Sequence, residues 1–228
     1  MSVFLEVLDK IDRKLKRMTE QVETARWLWN AGHFEAAFEH AFQLEDTAER
    51  TTLLTRVLPA YTGRPNARSE VEKAIRAIHP VAIGYTAEGW FSLQIPLLLP
   101  KKETGSTEYI RAFLYPAVHR FFKDKDPVRY TDCVLVFRHV YSRDRPERQR
   151  RDHDNIEVNM VADIVALYTM PDDGPTVCSH HYCSAAGQQE RTEVYVVPRE
   201  DFPHWLNVEK SMPEGGGELY DNLPKHTG

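Results

Sequence analysis

The 228-residue sequence is poor in cysteine and has no long apolar run, and each lack excludes something. Three cysteines, an odd number in a long chain, do not make a disulfide framework. The longest unbroken apolar stretches, such as Ile95 to Pro100, fall far short of the ~20 residues a membrane span needs. The opening MSVFLEVLDKIDRKLKRM carries charge at nearly every turn, so no apolar signal-peptide core is present. A Walker-type glycine loop, a dinucleotide fingerprint and a Ser-His-Asp signature in a recognisable context are missing as well, which leaves nucleotide hydrolysis and acyl transfer unsupported. The expectation is a soluble, cytoplasmic protein with no membrane partner.

What is present is enough for a substantial core: 42% of residues are apolar and 28% charged, which suits one large domain or a domain with a small appendage. The net charge of −5 argues by itself against a nucleic-acid binder. The charge is unevenly spread, however. Residues 101–151 hold 13 Lys and Arg against 7 Asp and Glu, so the remainder is the more acidic for it. Such a segment reads either as a polyanion-facing surface or as a solvated arginine-rich loop.

The first 60 residues read as helix. Phe4, Val7, Leu8, Ile11 and Leu15 keep helical spacing in a segment that runs towards Asn30. Phe34, Ala37, Phe38 and Phe42 restart the period after Asn30, Ala31 and Gly32, and Leu53, Leu54 and Val57 suggest a third helix. Antiparallel packing is natural for such elements, and this segment (1–62) reads as a scaffold or a docking element for a protein partner. Residues 63–80 form a linker and short helix. An α+β domain is expected over 81–200, with a strand at Phe91, Leu93 and Ile95, a helix from Thr107 to Lys123, a buried strand from Cys133, a helix from about Asn155 to Thr169, and two strands at Val177–Cys183 and Thr192–Val197. The Pro- and Gly-rich residues 201–228 read as a flexible tail.

The most informative stretch is Arg150, Arg151, Asp152, His153, Asp154 and Asn155, leading into the helix. Asp154 reads as a helix N-cap or as a functional acid. Asn155, Asn159 and Asp163 continue a polar seam along that helix, opposite Val161, Ile164, Val165 and Tyr168. Asp172 and Asp173 follow its end, as a simple turn or as further acids. Carboxylates folded beside Arg143, Arg145, Arg148, Arg150 and Arg151 suit Mg²⁺ (or Mn²⁺) and phosphodiester chemistry, because hard cations take oxygen ligands and share them with substrate phosphates.

With these motifs the chain resembles the RusA-like Holliday junction resolvases over roughly residues 88–198. The match runs through Arg151, Asp152, Asp154 and Asn155, then Asp173 preceded by Asp172, with Phe91 to Pro96 as the opening strand. The resemblance implies a RusA-like mixed-sheet domain, a homodimer, branched DNA as substrate, and Asp152, Asp154 and Asp173 as metal-binding catalytic acids, with Asp172 beside them. The five arginines would hold DNA, and Asn155, Asn159 and Asp163 would support the site. The chain departs from the family at Val158, where a lysine is usual, in the lysine-free strand from Ser179 to Cys183, and in the placing of Asp163, displaced by one position. The alternative is an inactive RusA-like module that binds DNA or protein. The whole chain also resembles an uncharacterised family from bacterial mobile elements.

Cys178, His180, His181 and Cys183 offer zinc-type donors, but on a regular strand they would alternate between faces. His153 is expected to point outward. Trp27, Trp29, Trp90 and Trp205 read as core or interface residues.

Overall fold

In the computed structural model, which describes residues 2–145, 147 and 150–224, the chain divides into two compact units. One comprises Met1–Ile75 with Lys102–Tyr109, the other Arg76–Lys101 with Ile110–Gly228. The class is α+β, with helices preceding a five-stranded mixed sheet. None of the described helices is long and apolar enough to cross a membrane.

The first unit is built on a helical hairpin. Helix α1 (Val3–Asn30) starts at Ser2, whose hydroxyl accepts from Leu5 N at 3.4 Å. It ends in a Schellman turn: His33 N donates to Leu28 O and Gly32 N to Trp29 O, with Gly32 at φ +79°. Helix α2 (Phe34–Val57) then returns antiparallel, since Val7 and Ile11 near the start of α1 pack with Leu54 near the end of α2 and Leu58 just beyond it. The third helix expected around Leu53, Leu54 and Val57 is the last part of α2. No proline or glycine interrupts the chain from Phe34 to Leu58, and Thr47, Thr51 and Thr52 tie their hydroxyls back to carbonyls four residues earlier. Of the expected apolar stripe only Val7 and Ile11 are buried, because a two-helix hairpin covers a narrow seam. Leu8, Leu15, Trp27 and Trp29 are exposed. Helix α3 (Ala67–Ile78) leads towards the second unit.

In the second unit, strands β1 (Ala82–Tyr85), β2 (Phe91–Ile95), β3 (Cys133–Ser142), β4 (Cys178–Gly187) and β5 (Arg191–Pro198) form a sheet ordered β1-β2-β5-β3-β4. Every neighbouring pair is antiparallel except β3 and β4. Register separates two faces. Phe91, Leu93 and Ile95 share one with Val194, Val196, Leu135, Phe137 and His139. Helix α4 (Ser106–Phe122) covers it, Phe121 and Phe122 lying against Phe91, while Tyr168 of α5 (Asn159–Thr169) stacks on Phe122. The opposite face carries Val134, Val136, Tyr195 and Val197, packed with Trp90 and Trp205.

Trp205 corrects the expectation of a flexible tail over 201–228. It belongs to helix α6 (Phe202–Glu209) and is wholly buried, and Trp90 Nε1 donates to Asp201 Oδ2 at 3.1 Å. Farther on, Gln94 Nε2 donates to Gly217 O at 2.7 Å, and Tyr85 and Tyr220 exchange two backbone hydrogen bonds. A Cβ on Gly84 would meet Tyr220 O at 2.7 Å, so the close approach needs glycine there. The composition of the tail reads as loose, but its backbone finds partners along the rim of the sheet.

Trp205→Ala is expected to lower stability by about 3–5 kcal/mol, read from the urea midpoint of the full chain. A change below about 1 kcal/mol, the range of ordinary surface substitutions, would put α6 outside the core.

Candidate functional site

The connection between the parallel neighbours β3 and β4 carries the acidic motifs. Contrary to expectation, Asp152 to Asn155 do not open the helix. His153–Asn155 form a short 3₁₀ turn, Ile156 pairs with Lys101 as an isolated bridge, and α5 begins only at Asn159. Asp154 is therefore no N-cap. The first-turn N–H of Met160 is met instead by Glu157 Oε1 at 3.4 Å. Asp152, Asp154 and Asn155 are exposed, as are Asn159 and Asp163 along α5, while Val161, Ile164 and Val165 are buried.

His153 turns inward rather than outward. Its Nε2 lies 3.0 Å from Ser184 Oγ, and its ring is 5.6 Å from His139 and 5.7 Å from Tyr182. His180 Nδ1 reaches the Tyr182 hydroxyl at 3.1 Å. The motif turn is thus seated on a patch of imidazole and phenol side chains belonging to β3 and β4. His139 is the deepest of them. Burial, then His153 and Arg151, pull its pKa down to about 4, which keeps it neutral. Its Nδ1 lies 3.4 Å from Thr192 Oγ1.

The second acidic turn meets α5 partway along its length. Asp163 lies beside Asp173, and burial, then Asp173 and Glu157, raise the pKa of Asp163. Asp172 folds over Gly174, where an added Cβ would lie 2.9 Å from Asp172 Oδ2. The structure therefore brings Asp163 and Asp173 together. It does not gather Asp152, Asp154, Asp172 and Asp173 into a metal site, for among the described residues no group of three or more His, Cys, Asp or Glu side chains is arranged to hold a metal ion.

The arginines assigned to DNA are largely engaged within the chain. Arg143 pairs with Glu214, and Arg145 Nε lies 2.5 Å from Glu190. Arg151 donates from its guanidinium to Leu99 O and from its backbone N–H to the Tyr141 hydroxyl, and Arg150 lies over the Tyr141 ring. Arg148 falls outside the described residues. The zinc-type donors divide by face: Cys178 and His180 point to the side of Phe137, whereas His181 packs on Phe202 and Trp205. The Cys133 and Cys178 thiols are free and lie side by side in register; each acts on the other, Cys178 being pushed down and Cys133 up.

Sequence reasoning missed the charged cluster on the other face of the sheet. Glu193 is fully buried and receives hydrogen bonds from Arg138 Nη1 at 2.9 Å, Arg191 Nε at 2.6 Å and the Tyr195 hydroxyl at 2.8 Å. Charged residues inside two apolar strand runs were the available signal.

The chain belongs to the family described as Family of unknown function (DUF6100), which it matches over residues 2–223. No curated protein matches it.

The depressed pKa of His139 has a definite sign in the pH dependence of stability. An unfolded histidine takes its proton near ~6.5, the folded one only near pH 4. Its effect vanishes above about pH 6.5 and destabilises increasingly as pH falls towards 4, reaching about 3 kcal/mol. Subtracting the stability profile of His139→Gln from that of the parent, measured by denaturant unfolding between pH 4 and 8, is expected to show this slope. A flat difference would mean that His139 takes its proton in the fold at the same pH as in the unfolded chain, and a slope of opposite sign that it is protonated there.

Proposed function

We propose that the sheet-bearing unit is a RusA-like, divalent-metal-dependent endonuclease for branched DNA, with Asp152, Asp154 and Asp173 as its catalytic acids. The observation that carries this reading is the order of the parts. Strand β2, helix α4, strand β3, the turn from Arg151 to Asn155, helix α5, the Asp172–Asp173 turn, β4 and β5 follow one another in the sequence the resemblance requires. Both acidic turns lie on a single connection between parallel strands, and Asp173 of the second turn lies beside Asp163 on the helix that follows the first. The crowding of Glu157, Asp163 and Asp173, seen in the raised pKa of Asp163, is of a kind that a cation relieves. As arranged here the acids do not fit a metal ion, so the reading stands on residue type and element order. A homodimeric form and Mg²⁺ or Mn²⁺ as cofactor belong to the same proposal.

A second reading has its own support. Arg143, Arg145 and Arg151 already answer to groups of the chain itself, which favours a RusA-like module that binds DNA or protein and does not cut.

Cleavage of an end-labelled four-way junction, beside a linear duplex of the same sequence, decides between them. With Mg²⁺ or Mn²⁺ the parent is expected to cut the junction selectively. Asp154→Asn and Asp173→Asn are each expected to lose at least about 100-fold, more than the loss of an outer-shell partner typically costs, while keeping the parent's circular dichroism. Folded parent that cuts with neither metal rejects the nuclease, and a gel shift on the same junction then tests the binding module. Equal cutting by Asp154→Asn would remove that residue from the site.

A further inference from the structure

The helical unit contains a cleft lined mostly by charged residues. It has a volume of about 430 Å³ and lies between α1, α2 and the Glu103–Thr104 segment. Lys10, Arg13, Lys14 and Arg17 line it from α1, at the three- and four-residue spacings that put side chains on one helix face. Asp46, Thr47, Arg50 and Leu54 line it from α2. Five cations thus meet two carboxylates, and both carboxylates are held by Arg50. Its Nε lies 2.9 Å from Asp46 and its Nη1 2.5 Å from Glu103. The Asp46 contact is out of line for a hydrogen bond, so the buried Nε–H of Arg50 has no hydrogen-bond acceptor. Lys10, Arg13 and Arg17 have no ion-pair partner among the described residues.

We propose that this cleft is a binding site for a compact, multiply charged phosphate anion, taken up by Lys10, Arg13, Lys14 and Arg17 with Arg50 at its base. The ligand class follows from the lining. Guanidinium groups match phosphate oxygens with two donors each, and a lysine beside them adds a point charge. Among the described residues no aromatic ring borders the cleft and Leu54 is its one aliphatic side chain, so a nucleobase finds no ring to stack on there. The volume is in the range of small-molecule sites, ~300–1,000 Å³, and suits a few linked phosphates. The position of Lys14 agrees: burial lowers its pKa, and Arg50 and Arg17 lower it further against Glu103 and Asp46. An anion would restore the balance. The inference uses only the helical unit and is independent of the nuclease reading.

Calorimetric titration of the full chain with sodium tripolyphosphate at fixed 0.15 M ionic strength tests it; at that salt exposed charges farther apart than about 8 Å are screened. Saturable binding at one site per chain is expected. It is expected to weaken at least about tenfold in the Arg13→Gln/Arg17→Gln double variant, since one charge-assisted hydrogen bond is worth about that much. Arg68→Gln, a paired exposed arginine elsewhere in the unit, is expected to bind like the parent. Both replaced arginines of the double variant are exposed, and unchanged helical circular dichroism confirms that folding is intact. Absence of saturable binding, equal binding by the double variant, or equal affinity for sulfate overturns the proposal. So does a duplex oligonucleotide that binds through Arg13 and Arg17 and is not displaced by tripolyphosphate, since the occupant would then be nucleic acid.

Discussion

A carboxylate with no access to water lies in the central strand of the sheet, and the C-terminal half of the unit is arranged around it. Glu193 on β5 faces Arg138 across the β3 register and Gln94 across the β2 register. Removing one partner from such a group leaves a buried charge unanswered and costs about 3–5 kcal/mol, so its surroundings are tightly constrained. Arg138 also reaches Glu209 at the end of α6, Tyr195 touches Met212, and a Cβ on Gly216 would meet the Gln94 amide at 2.8 Å and Glu193 at 3.2 Å. The last segment of the chain therefore lies down as a cover over the charged row. Without it the network would open to water, and Trp205 would lose the strands it packs on.

The same sheet sets where chemistry can be placed. Strands β3 and β4 are parallel, and parallel neighbours need a long crossover. That crossover holds every acid of the candidate site. Its acids are exposed because it runs outside the sheet, and its His153 is held because the turn is short enough to settle on the imidazole and phenol groups of β3 and β4. The neutral His139 beneath is what makes that seat possible: a protonated ring there would face both Arg151 and His153, and burial would deny it solvent.

Much of the frame is legible in the residues. The alternation of Phe91, Leu93 and Ile95 against Ser92 and Gln94 gives the correct two faces of β2, although Ser92 is buried because α6 covers the side a polar residue would mark as wet. The alternation of Cys178 and His180 against His181 and Cys183 holds along a regular β4. Helix bounds from Val3 to Asn30 and from Ser106 to Phe122 follow from period and breakers. What sequence could not give was who pairs with whom at long range. Arg143 with Glu214 and Arg145 with Glu190 are tertiary facts, whereas the contact of Glu157 with the first turn of α5, made in place of Asp154, is local and was overlooked. Strand β1 was missed because its four residues contain Gly84, which the approach of Tyr220 requires.

Charge illustrates the same limit from both sides. The strongly positive segment 101–151 looks like a polyanion surface, yet its loop arginines are drawn to glutamates, a carbonyl and an aromatic ring of their own chain. Helix α1 looks unremarkable, because Glu6, Asp9, Asp12, Glu20 and Glu23 nearly cancel its six Lys and Arg residues in any running average. The helical turn undoes that cancellation: Lys10, Arg13, Lys14 and Arg17 lie on the cleft side, while Lys16 pairs with Asp12 elsewhere on the helix. A local excess of charge in sequence is therefore a weaker guide to anion binding than periodicity of one sign, because only periodicity decides which charges share a face and are left without a partner there.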